Sequence, residues 1–181
     1  MKKYIWIGLL CYCFTIVSAI AQDSELFRFV NVAETSGTNK VLHHNLQDNS
    51  VNVIPISNTV FNARDGYLQA FILKRLSPGK VLIASAKKNN HFLHYDDSTS
   101  QISFIPITDE NALDAYTWQI NYARLAAVIT PLNDPNKGLT IDSNNSISIQ
   151  NLQNNSRGLI TENNVVGDQH RFTIQRVTNV F

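Results

Sequence analysis

Residues 51–57 read Val-Asn-Val-Ile-Pro-Ile-Ser, and residues 102–108 read Ile-Ser-Phe-Ile-Pro-Ile-Thr. Each is a short run of alternating apolar and polar residues that ends in Ile-Pro-Ile and a hydroxyl residue. Such alternation is typical of a half-buried strand. A weaker third copy, Ile-Ser-Ile-Gln-Asn-Leu, occupies residues 147–152. Three copies of one short unit predict an all-β fold with threefold internal symmetry.

The rest of the chain has the same character. Clusters of Asn, Asp, Ser and Gly, which favour turns because their side chains bond to nearby backbone, separate the apolar runs. A single turn of helix is predicted over residues 109–115. No linker or change in composition divides the chain, so we predict one domain. The other period-two runs lie at residues 27–32, 70–76, 116–122, 138–142 and 172–177.

The three units span about residues 26–76, 77–122 and 123–177. Each closes on a large ring (Phe71, Trp118 or Phe172), and the three rings are predicted to meet in one core around a threefold axis. The alternative is an ordinary β-sandwich, because alternating strands alone do not separate the two folds. The second strands are aligned on a Lys-x-Leu pattern, which occurs at residues 40–42, 80–82 and 137–139.

In that alignment, residues 87–99 form an insertion in unit two. Inserted loops of repeat folds often carry partner contacts, although a further hairpin is the plainer interpretation. The aromatic residues in or beside predicted loops are expected to be buried more often than exposed, because of the apolar area that their burial removes from water. These residues are Phe61, Tyr67, Phe92 and Tyr95.

The repeated unit resembles that of the ricin-type β-trefoil lectins, which closes on Gln-x-Trp. Gln69-Ala70-Phe71 comes nearest to that motif, Tyr116-Thr117-Trp118 keeps its Trp, and Gln169-His170-Arg171-Phe172 has its Gln displaced by one position. The resemblance covers residues 26–177. It implies a β-trefoil of three pseudo-repeated four-strand units, and a non-catalytic module that binds extracellular carbohydrate.

The resemblance also places sugar sites. In that family an acidic residue after the Lys-x-Leu strand accepts hydrogen bonds from sugar hydroxyls, and a ring on the third strand stacks on the sugar. The sugar-site motifs are degenerate here, and unit two has Ile at both places. The acidic positions hold His43, Ile83 and Thr140, and the stacking positions hold Ile54, Ile105 and Gln150.

Ligand binding is therefore predicted in units one and three, through shallow loop sites. Asn and Asp side chains in these segments could instead serve only to form turns. The candidates in unit three are Asp142, Asn144, Asn145, Gln150 and His170, and those in unit one are His43, Asn45 and Gln69.

The sequence carries no nucleophile elbow, zinc-protease motif or phosphate-binding loop, so no enzyme and no cofactor is predicted. His91 and His94 are three residues apart, which places them on opposite faces of a strand, and no metal site is expected there. The catalytic and metal-ligating sets are therefore predicted to be empty.

The first residues resemble a bacterial export signal. Lys2 and Lys3 precede an apolar run over residues 5–17, and Ala19-Ile20-Ala21 forms a small-x-small cleavage site before Gln22. Residues 1–21 are predicted to be removed, although a retained membrane anchor is the alternative. The mature chain, 22–181, would then be secreted or periplasmic and would not span a membrane. Both cysteines lie in the signal, so no disulfide is expected.

Charge limits the choice of partner. Of the 15 Lys and Arg residues, two lie in the signal, which leaves 13 against 14 acidic residues and a net charge of −1. Nucleic acid is not an expected partner, because the mature chain has no basic excess. The predicted partner is an extracellular glycan. The alternative is a partner protein, which would make the chain a toxin cell-binding subunit or an inhibitor of a secreted enzyme with lost sugar sites.

Overall fold

Within the described residues, the chain forms twelve strands, and its named helices are two short 3-10 helices. The computed structural model describes residues 25–32, 39–56, 66–123, 126–142, 144, 146–152 and 170–177. The 3-10 helices are Gly66–Gln69 and Glu110–Tyr116, and the second confirms the predicted helical turn. The strands are β1 (Leu26–Asn31), β2 (Lys40–His44), β3 (Val51–Pro55), β4 (Phe71–Ser77), β5 (Lys80–Ser85), β6 (His91–Asp96), β7 (Gln101–Pro106), β8 (Thr117–Ala123), β9 (Ala126–Pro131), β10 (Lys137–Ile141), β11 (Ile147–Asn151) and β12 (Phe172–Val177).

Six strands close into a barrel. Strand β1 pairs with β4, β4 with β5, β5 with β8, β8 with β9, β9 with β12, and β12 again with β1, all antiparallel. A ring of this kind leaves its six strands without an edge. It excludes the β-sandwich, in which two separate sheets face each other.

The other six strands form three hairpins, β2–β3, β6–β7 and β10–β11. Two backbone bridges join neighbouring hairpins in the same way. Each bridge runs between the residue just before the second strand of one hairpin and a residue on the second strand of another hairpin. These bridges are Ser50–Ser103 and Asn52–Ser146. The repeated contact places the hairpins around one pseudo-threefold axis, as a cap on the barrel. The predicted β-trefoil of three four-strand units is confirmed.

The predicted register of unit two was wrong. Lys80-Val81-Leu82 belongs to the opening barrel strand β5, and residues 87–99 are no insertion, because they contain the second strand, β6. The tight turn at Pro78-Gly79, where Gly79 has a φ of 76°, connects β4 directly to β5. No room is left between them for another opening strand. Phe92 and Tyr95 lie on β6 and are buried, as expected, whereas Phe61 and the Tyr67 side chain are outside the described residues.

The core has threefold layers. Phe71, Trp118 and Phe172 are all fully buried and belong to one cluster, which confirms the predicted common centre. Two further sets lie at equivalent register positions and are also fully buried: Phe29, Ile83 and Ile129 on the opening strands, and Leu42, Leu93 and Leu139 on the second strands.

Candidate functional site

Each hairpin presents an outward face built from equivalent positions. Alternate residues of a strand share a face, and directly paired residues lie side by side on it. The residue two positions before each closing aromatic ring completes the set. The three faces are Val41, His43, Asn52, Ile54 and Gln69 in unit one; Phe92, His94, Ser103, Ile105 and Tyr116 in unit two; and Gly138, Thr140, Ser148, Gln150 and His170 in unit three.

Unit three has the most polar face. Thr140 and His170 are buried and lie 2.7 Å apart between Oγ1 and Nδ1, and the Thr140 hydroxyl donates to the Gly138 carbonyl (3.0 Å). Burial lowers the pKa of His170 and so favours its neutral imidazole. On the same hairpin the exposed Gln150 amide donates to Ser148 Oγ (3.1 Å). The face therefore combines buried, hydrogen-bonded polar side chains with an accessible amide.

Unit one is mixed. His43 Nδ1 lies 2.7 Å from Asn52 Oδ1, so this ring is held against the neighbouring strand. Gln69 is buried, and its Oε1 has no hydrogen-bond partner among the described residues. An unpartnered buried amide oxygen is costly. The apolar Val41 and Ile54 flank these groups.

Unit two is filled by its own side chains. The His94 ring packs 4.6 Å from the Tyr116 ring, and the Tyr116 hydroxyl donates to the Pro106 carbonyl (3.2 Å). Tyr116 also belongs to a second apolar cluster that includes Leu113 and Ile105. No open polar platform remains on this part of the described chain.

The acidic position of unit two was wrongly assigned to Ile83. Ile83 is a buried barrel residue, and the structure puts His94 at that position, paired with Ser103 as His43 is paired with Asn52. A sequence signal was available, since a Leu-His dipeptide occurs at both 42–43 and 93–94.

The predicted turn residues cap their turns. Asn45 Oδ1 accepts from the backbone N–H of Gln47 (3.1 Å), and Asp142 Oδ1 accepts from those of Asn144 and Ser146 (both 2.8 Å). Asp96 holds the equivalent turn of unit two. Asn144 is exposed at the tip, and Asn145 is outside the described residues. Turn formation thus employs one oxygen of Asp142 and of Asn45, and ligand binding by these residues stays a prediction.

Replacing Asp142 with Ala is expected to lower the free energy of unfolding by about 1–2 kcal/mol, because two backbone donors lose a charged acceptor. Asp142→Asn, which keeps an oxygen acceptor, should lose less than half of that. Urea unfolding measures both, with the exposed Asn144→Ala as the control from the same turn. Equal losses for Asp142→Ala and Asn144→Ala would contradict the capping role.

Within the described segments, no group of three or more His, Cys, Asp or Glu side chains is placed to hold a metal ion. His91 and His94 lie apart, the first beside His44 and the second beside Tyr116. No helix in the described ranges is long and apolar enough to cross a membrane.

No family model matches the chain, and no curated protein matches it by sequence. Solved structures do match. The BEL β-trefoil shares 10% identity at a TM-score of 0.59, with 84% of this chain and 93% of that chain covered. A mosquitocidal holotoxin shares 10% identity at a TM-score of 0.63, with 87% of this chain and 17% of that chain covered.

A third similar structure is the GlcNAcα1-4Gal-releasing endo-β-galactosidase from Clostridium perfringens. It shares 14% identity at a TM-score of 0.58, with 86% of this chain and 32% of that chain covered. The chain therefore spans about a third of this galactosidase and less of the holotoxin. At such identities, the similarity establishes the fold alone: the chain is a β-trefoil.

Proposed function

We propose that the chain is an exported, non-catalytic carbohydrate-binding module related to the ricin-type lectins, and that unit three carries its principal site. The observation that carries the proposal is the unit-three face, which combines a buried Thr140–His170 pair with the exposed Gln150. Unit one, with Gln69 and His43, supplies a second and weaker face.

The chemistry suits a neutral sugar. Sugar hydroxyls need both donors and acceptors, and Gln150 offers a carbonyl oxygen and an amide beside the hydroxyl of Ser148. Burial favours the neutral imidazole of His170, which then adds no charge to this face. The position where the lectin family has a stacking ring holds Gln150 in unit three and Ile54 in unit one. Without that ring the site gives up apolar contact with the sugar, so weak binding is expected.

The test is a titration of the folded mature protein with a broad panel of neutral saccharides, followed by NMR or calorimetry. Gln150→Ala should weaken binding at least tenfold, which corresponds to about 1.4 kcal/mol. Gln175→Ala is the matched control, because Gln175 is exposed on barrel strand β12, away from the hairpins. Flat responses across the panel, or equal losses in the two variants, would refute the proposal.

Export has a separate test. The mature protein is proposed to begin at Gln22 after loss of residues 1–21, and the signal resembles those of bacteria. Intact mass and N-terminal sequencing of the protein from the periplasm and from the medium would establish the cleavage site and the compartment. A full-length chain retained in the membrane fraction would contradict cleavage.

The second candidate function is protein binding, as the cell-binding subunit of a toxin or an inhibitor of a secreted enzyme. Two observations favour it: unit two is filled by its own apolar side chains, and the matched holotoxin contains a similar trefoil as 17% of its chain. Co-purification of a stoichiometric second chain, with flat saccharide titrations, would favour this function over the first.

A further inference from the structure

The end of the barrel opposite the hairpins carries a surface of its own. Strands β4, β8 and β12 run away from the hairpin cap, so their last residues surround the open end of the barrel. The register confirms this, because Arg75, Tyr122 and Arg176 pair with residues near the start of β5, β9 and β1. The hairpins, in contrast, join β1 and β5 near their far ends, at Val30 and Ala84.

Arg75, Tyr122 and Arg176 occupy equivalent positions, four residues after Phe71, Trp118 and Phe172. They continue the inward-facing row of each strand beyond the core, where the barrel opens to water. Together with Leu76 and Lys80 they define what we call the barrel-mouth patch.

The patch is apolar and basic at once. Tyr122 is 68% exposed and Leu76 is 46% exposed, and these are the large hydrophobic side chains most open to solvent in the described part of the chain. The pairing register shifts between Arg75 and Ser77, and such an irregularity changes the direction of the strand at the intervening Leu76. Glu25, which pairs with Arg176 at 2.8 Å, is the acidic residue that the structure describes at this end.

The acidic residues that the structure describes are segregated along the barrel axis. Among the described residues, three cations and one carboxylate surround the mouth. The other eight acidic residues that the structure describes lie on the hairpin turns, the connecting loops or the 3-10 helix at the cap end: Asp48, Asp96, Asp97, Asp109, Glu110, Asp114, Asp134 and Asp142. The described side chains at the mouth therefore carry two more positive than negative charges, next to exposed apolar groups.

We propose that the barrel-mouth patch docks an acidic segment of a partner protein, one that carries carboxylates around an aliphatic or aromatic side chain. The planar guanidinium group of Arg binds carboxylates in a bidentate geometry. Tyr and Arg are also among the residues enriched at protein interfaces. Anionic membranes are recognised by clusters of four to eight cations, more than the three that the described part of the mouth provides. A sulfated polysaccharide would use the cations but would leave Tyr122 and Leu76 without a role.

This docking is independent of the proposed sugar site. The patch and the hairpin faces lie at opposite ends of the molecule, so a glycan and a protein could be held at the same time. The module would then connect a partner chain to a carbohydrate surface.

The test uses the mature chain and a fluorescein-labelled peptide, Glu-Glu-Leu-Glu-Glu-Phe-Glu, at low salt, with anisotropy as the readout. The Arg75→Glu/Arg176→Glu variant should weaken binding at least tenfold, and Tyr122→Ser about threefold. Lys40→Glu, on hairpin strand β2, should change it less than twofold. Tyr122 ring resonances should shift on binding.

Parallel arms use a peptide with Gln in place of Glu, heparin, vesicles of phosphatidylserine and phosphatidylcholine, and sedimentation of the protein alone. The proposal is overturned if the Gln peptide binds equally well. It is also overturned if the charge-reversal variant loses binding to heparin or vesicles while no acidic peptide binds. A concentration-dependent dimer abolished by the same substitutions would assign the patch to a second copy of this chain instead.

Discussion

Replacing Trp118 with Ala will lower the free energy of unfolding by about 4 kcal/mol, which is a large part of the stability of a domain of this size. Trp118 is fully buried at the threefold centre of the core, so the substitution leaves a large cavity. It also removes the indole N–H that donates to the Leu93 carbonyl (2.8 Å), and a buried carbonyl is left without that donor.

Equilibrium unfolding in urea measures this loss. The matched control is Tyr122→Ala, an aromatic residue on the same strand that is 68% exposed, and its effect should stay within about 0.5 kcal/mol. If Trp118→Ala does not fold, Trp118→Phe provides the comparison, with an expected loss of about 1–2 kcal/mol. A loss for Trp118→Ala as small as that of the control would contradict the threefold core.

The closing rings were predictable from the sequence for a physical reason. Residues that face the inside of a closed barrel must be large and apolar, and no unit can bury such a ring alone. Phe71, Trp118 and Phe172 therefore recur at similar spacing, and the structure buries all three in one cluster. Period-two alternation then supplies the strands around them.

The register of unit two was not predictable from the Lys-Val-Leu pattern, because alternation shows that a segment is a strand without showing which strand it is. Lys80-Val81-Leu82 opens its unit, whereas Lys40-Val41-Leu42 lies on a second strand. The Pro78-Gly79 turn resolves the ambiguity, since it joins a closing strand to an opening strand through a tight hairpin. Because β5 is therefore an opening strand, the next strand, which contains His94, is the second strand of unit two.

The candidate site was predictable only in part. The sequence shows that unit three is rich in polar residues, but Asp142 and Gln150 are equally suitable for turns and for ligands. Only the structure shows that Asp142 caps a turn while Gln150 stands exposed on the face. The Thr140–His170 contact joins residues 30 positions apart, and no local pattern marks it.

The contact of His44 with unit two is equally invisible in the sequence. His44 is fully buried, its Nδ1 lies 2.8 Å from Ser85 Oγ across 41 positions, and its ring packs 4.5 Å from Phe104. Its Nε2 is buried without a hydrogen-bond partner among the described residues. This junction holds the first hairpin against unit two, and it has a measurable consequence.

Folding stability is expected to fall by about 3 kcal/mol as the pH is lowered from 6.5 to 4, because of His44 alone. Burial, with the nearby positive charge of Lys88, lowers the pKa of His44 to about 4 from its usual 6.5. Between these values the unfolded chain binds a proton that the folded chain does not bind, so acid favours unfolding. Well above pH 6.5 both states are neutral and the effect vanishes, and well below pH 4 both states are protonated and the loss is complete.

The measurement is urea unfolding from pH 7.5 to 4, with the wild type compared with His44→Phe. Phenylalanine keeps the ring contact with Phe104 but cannot take up a proton, so the two stability curves should converge or cross as the pH falls. His94→Phe is the control, because His94 is only half-buried and its pKa is lowered less. If His44→Phe and the wild type lose stability in parallel across this range, another group carries the acid sensitivity, and the prediction for His44 is wrong.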